Sequence, residues 1–378
     1  MYNSFSVASD GKLYMGTCCT YGSAHILRYD PEEDKISDLV NVDEAIGDHR
    51  RGFDQQGKIH GRFFECDGML YGATHMDIAT PVYGNFYDEG RYAGGHWFRL
   101  DPKTNKVEDL GVQRPGEGIL TYTMDVGRGV LYGVTWPSGY LYSFDVRSGR
   151  SRNLGRTGIH LSRFILAMSD GTVFCSMKDG FIGRYRFGDD CVESLPCRIP
   201  LSLSDIDWVW RKGVLQCGVE WEENRSFVAF AGNPVRVSWD ADGNCAQEDF
   251  PLFKNGVYST FELAISADRK ILYTHCEWSE PPCFGGRLFQ FDPANGRNEL
   301  LGYMRCGDLR DLRHLGGGAI SNDKRALYYH ALVPKDMADR ADLTYAKLVE
   351  EGDRFAKGLS DTTWIKKYFK PALVICKL

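Results

Sequence analysis

The chain has 378 residues, 43% of them hydrophobic and 25% charged, a globular composition whose formal charge of −6 argues against the broad basic surface of a nucleic-acid binder. No apolar run approaches the ~20 residues of a membrane helix, so neither nucleic acid nor membrane is an expected partner. With 42 glycines and 13% aromatics the chain reads as many short strands joined by glycine turns.

The first ten residues lack the basic-then-apolar pattern of a secretory signal. That leaves a cytoplasmic protein or one whose leader has been removed. Twelve cysteines are scattered along the chain, with only Cys18 and Cys19 adjacent. Most, such as Cys66, Cys175 and Cys217, fall in predicted strands and read as buried free thiols.

One pattern recurs in chain order: a short strand, a turn with Asp and Gly, a strand reading LY, a loop, a strand ending FD or YD, and a strand ending DL or LG. The first unit is SFSVASDGKLYMGTCC then HILRYDPEEDKISDL; the second is HGRFFECDGMLYGATH then HWFRLDPKTNKVEDLG. The third is YTMDVGRGVLYGVTW then YLYSFDVRSGRSRNLG, and the fourth RFILAMSDGTVFCSM then FIGRYRFGDDCVESL. The fifth, DIDWVWRKGVLQCGVEW then SFVAFAGNPVRVSW, is degenerate. The sixth is FELAISADRKILYTHCEW then RLFQFDPANGRNELLG, and the seventh GGGAISNDKRALYYHAL then PALVICKL.

Four alternating strands in each ~40–50-residue repeat predict an all-β fold, a seven-bladed β-propeller of four-stranded antiparallel blades forming one domain over 1–378. The last unit lacks a fourth strand, which the N-terminal segment is expected to supply. Within it, about 335–370, MADRADLTYAKLVEEGDRFAKGL has helical spacing and predicts a small helical insertion at the propeller's edge. A monomer is expected.

Antiparallel connectivity puts the start of each innermost strand, the end of the second and the start of the third on one face. Six of the nine histidines fall in these columns. The innermost strands start near His60, Thr121, Arg163, Asp207, Ser259 and Gly317. The second strands end at Thr17-Cys18, Thr74-His75, Thr135-Trp136, Met177-Lys178, Glu220-Trp221, Thr274-His275 and Tyr329-His330. The third strands start at His25, His96, Tyr140, Phe181 and Arg287, and Arg156 ends a strand on the same side. His60, His75, His96, Tyr140 and Arg163 come from consecutive blades and predict a site in one sector of one rim.

These imidazoles, phenol and guanidiniums lack the close carboxylate pair of a glycosidase. There is no GxSxG elbow and no glycine-rich phosphate loop between a strand and a helix; the glycines at 316–318 read as close packing at the propeller centre. The set suits β-elimination beside a carboxylate. Arg or protonated His stabilises the enolate-like dianion, and His or Tyr moves the protons.

In those residues the chain resembles the seven-bladed propeller polysaccharide lyases, especially the ulvan lyases and relatives that cleave at glucuronate. The likeness rests on QGKIHGRFFECDGMLYGATH at 56–75, on His96 21 positions after His75, and on the order His, His, Tyr, Arg continued by Tyr140, Arg156 and Arg163. The resemblance implies that His75 and His96 contact the uronate, neutralising its carboxylate or accepting the proton. Tyr140 would be the acid and, in a syn elimination, also the base. Either Arg156 or Arg163 would pair with the carboxylate. Lys58, His60, Tyr122 and Trp136 would bind the sugar, with His160, His275 and His330. The implied partner is an anionic uronate-containing oligo- or polysaccharide, rhamnose-linked glucuronate by preference, cleaved to a 4,5-unsaturated uronate.

No cofactor is expected for the elimination. A zinc or manganese ion, the latter as in oligogalacturonate lyases, would bind at His275, Cys276 and Cys283, with His330 or His314. The alternatives are an oligogalacturonate lyase-like enzyme on pectic fragments, an isomerase or hydrolase using the same histidines, and a non-catalytic carbohydrate-binding propeller. In the last, Trp97, Trp136, Trp221 and Trp278 would stack on sugars.

Overall fold

The computed structural model describes residues 4–19, 22–51, 54–76, 92–158, 163–198, 215–231, 233–240, 243–252, 258–259, 263–276, 287–303, 313–334 and 369–378. Its strands form seven antiparallel sheets in chain order, the propeller that the repeats predict. Blade one is β1 (Phe5–Val7), β2 (Leu13–Gly16), β3 (His25–Asp30) and β4 (Lys35–Asn41), followed by the short helix α1 (Val42–Ile46). Blade two has a broken innermost strand, β5 (Lys58–Ile59) and β6 (Phe64–Cys66), both paired with β7 (Met69–His75), then β8 (His96–Leu100) and β9 (Val107–Val112). Blade three is β10 (Gly118–Asp125), β11 (Val130–Trp136), β12 (Tyr140–Asp145) and β13 (Arg150–Arg156).

Blade four is β14 (Ile165–Ala167), β15 (Val173–Ser176), β16 (Phe181–Tyr185) and β17 (Glu193–Arg198). Blade five is β18 (Cys217–Glu222), β19 (Ser226–Ala231), β20 (Asn233–Trp239) and β21 (Cys245–Asp249). Blade six pairs β22 (Tyr258–Ser259) and β23 (Ala264–Ile265) with β24 (Ile271–Cys276), then β25 (Arg287–Asp292) and β26 (Arg297–Tyr303). Blade seven has three strands among the described residues, β27 (Arg313–Ile320), β28 (Ala326–Pro334) and β29 (Phe369–Lys377).

Strand alternation explains where the core sits. Successive side chains point to the two neighbouring blades, so the apolar residues meet between blades. Tyr14 and Ile26 of blade one pack with Phe98 and Leu100 of blade two, while Tyr71 and Trp97 leave blade two on its other face to meet Tyr122 and Phe144. The pattern continues round the ring until Tyr328 of blade seven packs on Phe5 and Leu13 of blade one. Each large side chain buried this way contributes roughly 1.5–3 kcal/mol of transfer free energy. Local turns agree: between β6 and β7 Asp67 (φ 51°) and Gly68 (φ 74°) form a two-residue hairpin, the left-handed pair that an Asp-Gly dipeptide tolerates.

Three expectations change. The N-terminal segment does not complete blade seven among the described residues: β1 is the innermost strand of blade one and pairs with β2. Closure is by side-chain packing and by Asn322 Nδ2, which donates to the Ala8 carbonyl at 2.9 Å. In blade five, Glu220 and Trp221 lie on the first strand of the sheet rather than at the end of the second. Glu220 there accepts from Ser169 as Glu65 of the innermost strand of blade two accepts from Ser9, which puts both on the face away from the predicted site. The degenerate repeat hid this shift. Third, Cys197 and Cys245 are not free thiols but a disulfide joining the outer strands of blades four and five; Cys66, Cys175 and Cys217 are free and buried as expected. The proposed helical insertion lies outside the described residues except at its end, where 369–370 belong to β29.

Candidate functional site

The site is built on a repeated device. At the end of the second strand, Thr17, Thr74 and Thr135 each accept a hydrogen bond on Oγ1 from the backbone N–H of the residue that opens the third strand. These residues are His25 (2.7 Å), His96 (2.8 Å) and Tyr140 (3.3 Å). The residue after the threonine is Cys18, His75 or Trp136. The columns read from the repeats are therefore structurally equivalent positions.

Alternation then sorts these side chains. In β7, Ala73 faces blade three and Thr74 faces blade one, so His75 faces blade three. Its ring lies edge-on to Trp136 (centroids 5.9 Å apart) and to His60 (5.8 Å). Gly118, at the start of β10, is close beneath: a β-carbon there would stand 1.8 Å from His75 Nδ1, so only glycine admits the imidazole. His60 Nδ1 bonds the Leu120 carbonyl at 2.7 Å; since a carbonyl only accepts, Nδ1 carries the proton.

Electrostatics make this cluster unusual. Lys58, His60 and His75 are buried, with His75 0% exposed and neither of its ring nitrogens bonded to any described residue. Burial first, then the positive charges of Lys58 and Arg163, hold His75 well below the ordinary imidazole value. His60 is pushed the same way by burial, Arg163, Lys58 and His75. Two neutral imidazoles thus sit among two cations in a low-dielectric setting, which favours an arriving anion.

Tyr140 faces blade two, because Leu141 after it packs toward blade four. Its half-buried ring carries the Arg114 guanidinium 4.7 Å from its centroid and that of Arg156 at 5.7 Å. Arg114 is held by Glu117 Oε1 (2.7 Å) and by the Tyr142 hydroxyl (3.2 Å). For buried Glu117, desolvation pulls its pKa up, but hydrogen bonds from Ser138, Thr135 and Arg114 outweigh it, so the carboxyl is held low and ionised. Arg114 and Glu117 were not singled out in the sequence, because their connecting segment, RPGEG, belongs to no repeat column. Arg156 is exposed and donates to the Ser138 carbonyl at 2.7 Å.

The remaining predicted residues lie elsewhere. His96 alternates with Trp97 and so faces blade one, across the sheet from His75. Its Nδ1 bonds Asp109 at 2.9 Å, and its buried Nε2 has no hydrogen-bond partner among the described residues. His25 repeats the arrangement with Asp38 in blade one. Tyr122 is buried between blades two and three, its hydroxyl donating to the Gly61 carbonyl at 2.8 Å, and so serves packing rather than a sugar. Trp97 is likewise fully buried, and Trp221 lies on the far face. His330 is buried in β28 of blade seven, a different sector. His275 and Cys276 end β24, while His160, Cys283 and Trp278 lie outside the described residues. Among the described residues no three metal-ligating side chains gather.

No family model and no curated protein matches the chain. Solved structures do. Virginiamycin B lyase from Staphylococcus aureus superposes with a TM-score of 0.54 at 11% identity, over 86% of this chain and 90% of that one. A 6-phosphogluconolactonase homologue from Bacteroides uniformis gives 0.52 at 10%, over 84% and 92%. The WD40 repeats of RRP9 give 0.55 at 10%, over 86% of each chain. These neighbours include a lyase, a lactonase and repeats without stated chemistry. At such identities the likeness shows the propeller alone.

Proposed function

We propose that the protein is a polysaccharide lyase that cleaves the bond at O4 of a uronic acid by β-elimination. The observation that carries this reading is His75: a buried, neutral imidazole with both nitrogens unbonded among the described residues, set between Lys58 and Arg163. In this reading the uronate carboxylate lies against Lys58 and Arg163, which stabilise the dianion formed when the C5 proton leaves. Burial is the first cause of the low His75 basicity and the two positive charges the second; the carboxylate offsets that second cause and so raises the basicity of His75 when substrate is bound. His75 accepts the C5 proton, C4=C5 forms, the C4–O4 bond breaks, and Tyr140 gives its proton to O4. Arg163, Trp136 and Tyr140 are half-buried, so in this reading the sugar approaches past them; Arg156 and Arg114 hold the phenol. This assignment prefers Arg163 over Arg156 for the carboxylate.

The step requires no cofactor in this reading. Rhamnose-linked glucuronate is the preferred substrate through the resemblance to ulvan lyases, and oligogalacturonate is the other member of the same class. Among the propeller neighbours, a catalytically inactive histidine-to-alanine variant of virginiamycin B lyase was crystallised with quinupristin, a precedent for a histidine-dependent lyase on this architecture. The test is to incubate the protein with glucuronate- and galacturonate-containing glycans and follow the ultraviolet absorbance of the conjugated alkene. Absorbance that rises with the native protein and not with His75→Ala supports the proposal. Saturable glycan binding without any alkene would replace it with a binding module.

A further inference from the structure

The face opposite His75 carries a second polar concavity. A cavity of about 520 Å³ opens between blades four and five, within the size range of small-molecule sites. Antiparallel connectivity fixes its side of the ring. Its walls are the turns joining the first two strands of each blade (Asp170 and Thr172; Asn224 and Arg225) and the ends of the third strands (Arg184 and Arg186; Trp239).

Its positive and negative groups are unequally used. Arg184 Nε bonds Glu193 Oε1 at 2.7 Å, and Arg186 Nη1 reaches the same oxygen at 3.0 Å. The rest of the two forks converges: a β-carbon built on Gly243 would lie 3.6 and 3.9 Å from Arg184 Nη1 and Nη2 and 3.7 Å from Arg186 Nη2. These three nitrogens and the guanidinium of Arg225 bond no described residue. The carboxylates, by contrast, serve their own turns. Asp170 accepts from the Thr172 N–H at 2.8 Å, and Asp240 accepts from the backbone and side chain of Asn244, both at 2.9 Å. Free donors therefore converge at the forks of Arg184 and Arg186, and the three arginines of the lining outnumber its two carboxylates, Asp170 and Asp240. The walls are also fixed in place. Trp239 packs on Phe174 (centroids 4.8 Å) and pairs with Cys245, whose disulfide to Cys197 ties blade five to blade four.

We propose that this cavity is a second binding site, for an acidic sugar whose carboxylate enters the fork of Arg184 and Arg186 while Arg225 and Trp239 flank its ring. An inorganic oxyanion would use the fork but leave most of the volume and the indole unfilled. Planar guanidiniums match a carboxylate in two parallel bonds, and an indole gives a sugar ring an apolar surface. The inference concerns binding and does not depend on the elimination.

The test is calorimetric titration with sodium glucuronate on a protein carrying Lys58→Met and Arg163→Ala, which removes the cations that the first face would offer a carboxylate. Saturable binding is expected, and adding Arg186→Ala and Arg225→Ala should weaken it at least tenfold. Both arginines are exposed, so the fold should stand. Binding unaffected by the two substitutions, or none that saturates, overturns the proposal. So does inorganic phosphate binding as tightly as glucuronate, the mark of a simple anion site. The alkene assay fails or succeeds separately, because this experiment measures no turnover.

Discussion

His75 and His96 stand at the facing ends of two neighbouring strands of blade two, and they live in opposite surroundings. His75 faces blade three, among cations, with both nitrogens unbonded to described residues. His96 faces blade one and is anchored to Asp109. Burial pulls Asp109 up, but the hydrogen bonds from His96 and Gly111 outweigh it and hold the carboxyl below its ordinary value. His96 Nε2 is unbonded among the described residues, but beside the ring lies a polar network: Gln56 accepts on Oε1 from the Thr74 and Tyr92 hydroxyls, both at 2.7 Å, and donates to the Gly94 carbonyl. The same residue type is thus left poised on one side of a sheet and tied down on the other. Strand parity, not distance along the chain, separates them.

That contrast breaks or stands on graded variants. His75→Ala should abolish alkene formation, a loss of about 10²–10⁴ in kcat for a general base, with the far-ultraviolet spectrum unchanged. Tyr140→Phe removes one hydroxyl and should cost about 10²-fold or more; near-native turnover would exclude Tyr140 as the acid. Gly118→Ala forces a β-carbon into the His75 ring. A melting temperature lowered by the equivalent of roughly 1–3 kcal/mol is expected, together with reduced kcat, as for overpacking elsewhere.

Acid should be felt through the same face. His60 and His75 are neutral in the fold and take up protons near the ordinary value of ~6.5 when unfolded. Below that value the unfolded state binds more protons, so their contribution to stability is full at neutral pH and declines on acidification. Melting curves between neutral and acidic pH should show this decline, and His75→Ala should flatten it. The smallest effect is expected at His96→Ala: about 1 kcal/mol of stability from the lost hydrogen bond and most of the activity retained. If it abolishes turnover as fully as His75→Ala, the two faces are not functionally distinct.

Much of this was legible in the repeats. The alignment of Thr17, Thr74 and Thr135 located the capped strand ends and the residues that follow them, because a blade repeats its hydrogen bonds as well as its apolar pattern. Legibility stopped where the repeat stopped. Blade five is shifted by one strand, which moved Trp221 to the far face. Arg114 and Glu117 sit in a connection with no counterpart in the other units. The Cys197–Cys245 bond joins residues 48 apart in sequence that meet only when two blades stack.

The amino-acid sequence by itself determined the propeller, its blade order and, outside blade five, which strand ends share a rim, since these follow from period-2 alternation and short antiparallel connections. Only the tertiary structure decided which of those rim residues face one another. Inter-blade packing brought Lys58, His60, His75, Trp136 and Arg163 together from three blades, left His96 behind the sheet, and buried Trp97 and Tyr122 in the core. The charges felt by an imidazole depend on neighbours contributed by other blades, and no local pattern encodes them.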